Sequence, residues 1–273
     1  RSRAMLMLGL IVKANLSIEV GGDRDMVVGV IGPGYRTSGL KGQPSYSAAT
    51  FARTDMYSPN TIYIPAGYGK VAFGKAEMKN ILIAVSALTL AFTLVLYTGL
   101  ISNIDGLTTV ESLLYAVGVS FVAVLTGFML HELAHKVVAQ RSGAWAEFRA
   151  YPMGLLMAVL FAFMGFLFAA PGAVYIQGMI SRRQNGLISI AGPLTNLALG
   201  LSFMGLGLLL NAGLLALALY LIGTVNLMLA AFNLLPIPPL DGYKVMKWNL
   251  PVYIVTFGAS AALAAMVYLN VLV

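Results

Sequence analysis

From residue 81 onward the chain is dominated by six apolar runs: Ile81–Ile101, Leu113–Ala139, Pro152–Ala170, Gly186–Leu210, Leu214–Leu235 and Val252–Val273. Each is nineteen residues or longer, and a helix needs about 20 to cross the hydrocarbon of a bilayer. Only the second run holds formal charge, at Glu132 and Lys136. Lipid cannot satisfy backbone N–H and C=O groups, so segments of this kind fold as helices packed against one another. Composition agrees: 59% of residues are apolar and 10% charged, with mean hydropathy +0.85. These values describe a polytopic membrane protein and exclude a soluble globule.

Residues 1–80 differ. Gly-Gly, Gly-Pro-Gly, Ser-Pro-Asn and Pro-Ala-Gly turn signals separate short runs such as Leu16–Val20, Met26–Ile31 and Thr61–Ile64. This pattern predicts a small β-rich extension outside the membrane. The opening Arg1-Ser2-Arg3-Ala4 has no initiator Met, as at an internal start, and Met5–Val12 is too short for a signal core followed by a span.

The chain's two histidines stand four residues apart in His131-Glu132-Leu133-Ala134-His135, inside the second run. At helical pitch, i and i+4 share a face, so both imidazoles can hold one metal ion. Glu132, beside the first ligand, can act as general base on a water there. Ionisable groups at membrane depth are costly without a partner, which favours a metal over a polar face packed in the bundle. The chain has no cysteine, so a tetrahedral site must use His, carboxylate and water.

A third ligand must then be a carboxylate. Beyond Glu111 the chain holds three: Glu132, Glu147 and Asp241. With Glu132 as base, Glu147 and Asp241 remain. Glu147 lies in the polar stretch Arg141–Arg149, where an arginine can pair with it. Asp241 ends Asn233-Leu234-Leu235-Pro236-Ile237-Pro238-Pro239-Leu240-Asp241-Gly242, whose prolines break the helix. A carboxylate on irregular backbone beside the membrane needs a reason, so Asp241 is the better candidate.

Three segments in this order resemble the site-2 protease family of intramembrane zinc metalloproteases. They are His131–His135, then Ala191-Gly192-Pro193-Leu194-Thr195-Asn196, then Asn233–Gly242 with its Pro-Leu-Asp-Gly ending. The resemblance covers residues from about 81 to 250. It implies one zinc ion held by His131, His135 and Asp241, with Glu132 as catalytic base. It also implies that Asn233 orients or stabilises the substrate carbonyl. Some members carry a PDZ-like insertion, for which the connection after Leu210 is too short. Gly192, Pro193 and Asn196 suit helix packing and a helix start. Asn196 is also a candidate to hydrogen-bond near the metal and bind substrate.

The three segments can meet only if Pro152–Ala170 does not cross. We therefore expect five transmembrane helices and a re-entrant or interfacial element at 152–170, flanked by strand-like 146–151 and 173–177. Charge supports this parity. One side receives Lys70, Lys75, Lys79, Lys136, Arg141, Arg149, Arg182, Arg183, Lys244 and Lys247; the other receives Asp105 and Glu111. The basic side is then cytoplasmic, in a multi-pass protein of the cell membrane with its active site toward the cytoplasm. Lys136 is expected to snorkel to the headgroups, and Trp145, Tyr151 and Trp248 to anchor at the interface. The Met and aromatic residues of Met153–Phe168 suit packing in lipid or in the bundle better than a grip on substrate.

The expected function is zinc-dependent endoproteolysis in or near transmembrane segments of membrane-protein substrates. The lipid bilayer is a partner and nucleic acid is not. Two alternatives remain. A metal transporter would need a string of ligands, and two histidines supply one site. A catalytically silent membrane-binding relative would have no use for Glu132.

Overall fold

The computed structural model describes residues 71–167, 169–210 and 213–269, within one compact unit, Pro65–Val273. The expected β-rich extension lies, up to residue 70, outside the described residues. Helix α1 runs Lys75–Gly99, α2 Thr109–Val124, α3 Leu130–Arg141, α4 Pro152–Phe163, α5 Arg182–Leu210, α6 Gly213–Asn233, α7 Asp241–Trp248 and α8 Leu250–Tyr268. Strands β1 (Trp145–Ala150) and β2 (Gly172–Gln177) form one antiparallel pair. A π turn, Leu125–Met129, joins α2 to α3, so 109–141 is one continuous rod.

Five helical segments are long and apolar enough to cross a membrane: Lys75–Gly99, Thr109–Arg141, Arg182–Leu210, Gly213–Asn233 and Leu250–Tyr268. The remaining run, Pro152–Ala170, forms α4, whose 12 residues reach only about 18 Å at 1.5 Å per residue. Pro152 sits in its first turn, where a missing N–H costs nothing. Because β1 pairs with β2 from Trp145↔Gln177 to Ala150↔Gly172, the chain leaves and re-enters this segment at one place. One face of α4 (Leu155, Ala158, Ala162) packs on Ala84, Leu88 and Ala91 of α1, while Met153, Leu156, Leu160 and Phe163 point outward.

Small residues let the helices approach closely. A Cβ on Gly200 would strike Leu227 of α6, and one on Gly223 would meet the backbone of α5 at Met204, 2.9 Å away. Outward positions such as Leu82, Leu114, Leu209, Leu215 and Val255 are as apolar as the interior, a surface suited to lipid.

Two boundaries and one side chain differ from the sequence reading. Helix α1 starts at Lys75, not Ile81, because Glu77 reaches back to the Gly74 N–H (3.3 Å) and caps it. Ala191–Asn196 does not open its helix. A capping box begins α5 nine residues earlier: Ser181 N–H donates to Gln184 Oε1 (2.8 Å), and Gln184 N–H donates to Ser181 Oγ (3.2 Å). Pro193 therefore lies inside α5. Lys136 does not snorkel: it is 2% exposed, and its ammonium lies 2.6 Å from both oxygens of Glu77, itself fully buried.

Candidate metal centre

Helix α3 carries His131 and His135 on one buried face. The π turn before it has Thr126 as an anchor: Asn226 of α6 donates to its Oγ1 (3.0 Å) and to Ile222 O (2.9 Å). Such an extra-residue turn re-aims the helix that follows, and it is common next to functional sites. The sequence pattern carries no sign of it.

Asp241 is the first residue of α7 and is buried. Its approach to α3 depends on the next residue. A Cβ on Gly242 would run into the backbone of Leu234, so only glycine lets α7 press on the end of α6. Close approach of the two backbones is the reason for glycine at this position. Burial opposes charge on Asp241, but His135 and His131 beside it and the Lys244 ammonium hold its carboxyl well below the usual carboxylate range.

The three side chains converge. His131 Nε2 lies 3.0 Å from His135 Nε2 and 3.4 Å from Asp241 Oδ2, and His135 Nε2 lies 3.0 Å from the same oxygen. Ligand atoms about 2.0–2.1 Å from a tetrahedral zinc sit on the order of 3.3 Å apart, so the separations fit. Tautomer fits too: His135 Nδ1 lies 2.6 Å from Ile188 O, which as an acceptor leaves Nε2 unprotonated for a metal. Space fits as well. A Cβ on Gly192 would lie 2.5 Å from His135 Nε2 and 2.6 Å from His131 Nε2. Among the described residues this is the one His/Asp/Glu group with such geometry. Glu147 is elsewhere, in β1, paired with Arg149 at 3.0 Å.

Glu132 reaches the sheet, where its Oε2 accepts from Val174 N–H of β2 (3.0 Å). Asn233 ends α6, and its amide nitrogen donates to Leu229 O (3.0 Å). Asn196 is fully buried on α5, one turn beyond Gly192.

The sequence missed what holds the sheet. Glu77 Oε1 accepts from Phe148 N–H (3.0 Å), and Asn80 Oδ1 accepts from Ala150 N–H (3.3 Å). Ala146 O accepts from Lys136 (3.2 Å) and Gln140 (3.0 Å). Backbone groups alternate between the two edges of a strand, so these side chains close the edge of β1 that faces away from β2. On the far edge of β2, the one side chain bonded to backbone among the described residues is Glu132.

Comparison with known proteins agrees with this geometry. The chain is similar to "Putative zinc metalloprotease MJ0611" of Methanocaldococcus jannaschii, 50% identical over 137 residues, which are 48% of this chain and 70% of that protein. It is 34% identical over 152 residues to "Putative zinc metalloprotease YwhC" of Bacillus subtilis, covering 48% of this chain and 68% of that one. A third relative, "Putative zinc metalloprotease Rip3" of Mycobacterium tuberculosis, is 34% identical over 67% of this chain and 44% of its own length. The chain belongs to the site-2 protease family. No family model matches, and no solved structure matches. As a member of a zinc metalloprotease family, it places the pair of histidines and the aspartate expected to hold the ion within reach of one another.

Proposed function

We propose that this chain is a zinc-dependent intramembrane endopeptidase that hydrolyses peptide bonds in or near transmembrane segments of membrane proteins. The observation that carries the reading is the joining of His131, His135 and Asp241 between helices of membrane-spanning length, beside a strand edge. One zinc ion held by these residues would supply an acidified water and a Lewis acid for the scissile carbonyl. Glu132 takes the proton from the attacking water and delivers it to the leaving amine. Asn233 turns its amide N–H from Leu229 toward the oxyanion and stabilises it.

A helical peptide bond is shielded by its own turn, so the substrate must be extended at the site. The far edge of β2 supports one way to hold it, by strand addition, since side chains already occupy the edge of β1. In this reading 152–170 dips into the membrane between the strands without crossing. The protein lies in the cell membrane, with its basic face and active site toward the cytoplasm.

Glu132→Gln tests the mechanism. The amide keeps the shape but cannot take the proton, so zinc content should stay at the wild-type level while cleavage of a membrane-protein substrate in proteoliposomes falls by at least about 100-fold. Full activity in Glu132→Gln would remove the base from the scheme. Zinc flux across the same vesicles would favour a transporter instead.

A further inference from the structure

We infer that Asn196 is the positioning residue of His131: its Oδ1 accepts the Nδ1–H of His131, directly or through one buried water, when Nε2 faces the metal. The inference rests on the reading of His131, His135 and Asp241 as zinc ligands. A metal-binding imidazole nearly always donates its other N–H, which fixes both tautomer and ring orientation. His135 meets this need at Ile188 O. His131 does not: its Nδ1 is buried and has no partner among the described residues. Asn196 is in the complementary position. It is 0% exposed, and both its amide oxygen and its amide nitrogen are buried without a partner among the described residues. A buried polar atom left so is costly, and at membrane depth it is a functional signal.

The packing of α5 on α3 brings the two together. Ile188, Gly192 and Asn196 stand at i, i+4 and i+8, on one face of α5. Ile188 meets His135, and Gly192 faces both imidazoles. Moving along α5 therefore moves backward along α3, and the next turn, at Asn196, comes level with His131 and the turn before it. Helical side chains lean toward the N-terminus, which carries the His131 ring the same way. The other orphaned amide oxygen near this layer belongs to Asn226, whose amide nitrogen is already held at Thr126, five residues before His131. Asn233 spends its amide nitrogen on Leu229 and is only partly buried.

The test compares Asn196→Leu, Asn196→Asp and the unaltered protein, each in detergent, by chelator competition for zinc and by 15N NMR of the imidazoles. Asn196→Leu should weaken zinc by about 10- to 100-fold and leave metal-free His131 in mixed tautomers. Asn196→Asp, which restores an acceptor, should stay within a few-fold of the unaltered protein. Wild-type zinc affinity in a folded Asn196→Leu, with a raised KM for substrate, would overturn the inference and assign Asn196 to substrate binding. If Asn196→Leu does not fold, the unaltered zinc-loaded protein still decides: His131 must be the Nδ1–H tautomer with a hydrogen-bonded N–H, and any other state refutes the proposal. Absence of zinc binding by the unaltered protein would instead overturn the ligand reading on which this one stands.

Discussion

At the scale of single residues, three substitutions separate ligand, neighbour and scaffold. Asp241→Ala removes one of the three proposed ligand atoms and should lower zinc affinity by orders of magnitude, whereas Glu147→Ala breaks only a pair with Arg149 and should leave it unaltered; metal analysis of the purified variants reads both. Gly192→Ala is a sharper probe, because alanine favours a helix more than glycine does by about 1 kcal/mol. The added Cβ would nevertheless press on both Nε2 atoms. We expect helix content to be kept and zinc affinity to drop at least about 10-fold, the size of an outer-contact loss at a metal site; unaltered affinity would show that the imidazoles can retreat from α5. The convergence of His131, His135 and Asp241 was legible in the sequence, because i, i+4 spacing and a short census of carboxylates need no tertiary information. The role of Gly192 was not, since it depends on which helix packs there.

At the scale of elements, the pair Lys136–Glu77 ties α3, α1 and β1 together. Lys136 looked like a snorkelling residue because the sequence shows only its position near a helix end. Its partner is 59 residues away. Removing one member of a buried pair strands the other charge and costs about 3–5 kcal/mol, whereas replacing both is often far milder. Lys136→Met should therefore lower thermal stability sharply in detergent. Glu77→Gln with Lys136→Met should recover part of the loss, since the amide still accepts from Phe148 N–H. An equal loss in single and double variants would mean that the pair is not what holds the strand. The sequence reads 152–170 as a re-entrant or interfacial element with strand-like flanks, without fixing the helix α4 within it. Its extent followed from Pro152 and from the strand pairing, and register is a long-range property that alternation over six residues does not reveal.

At the scale of the whole molecule, the ends of the helices sort by charge. The N-terminal ends of α1, α5 and α8 and the C-terminal ends of α3 and α6 lie together if all five segments cross, and with them lie Lys75, Arg141, Arg149, Arg182, Arg183, Lys244 and Lys247. Asp105 and Glu111 sit at the opposite end, in the connection after α1 and the first turn of α2. Hydropathy could supply only candidate segments, because lipid imposes length and composition on each one separately; the five helices of spanning length follow once 152–170 is set aside, which the need for the three motifs to meet suggested. The test follows from the chain's having no cysteine of its own. Single cysteines at Arg141 and Met179 flank the hairpin, and both positions are exposed. If 152–170 does not cross, an impermeant thiol reagent added to sealed, inside-out vesicles should label both, and a cysteine at Gly106 should stay unlabelled until detergent is added. Labelling of 141 and 179 from opposite faces would turn the hairpin into a sixth crossing. It would also carry Gly192 and the start of α5 away from the histidines, a result that the Ile188–His135 contact makes physically inconsistent with the packed helices.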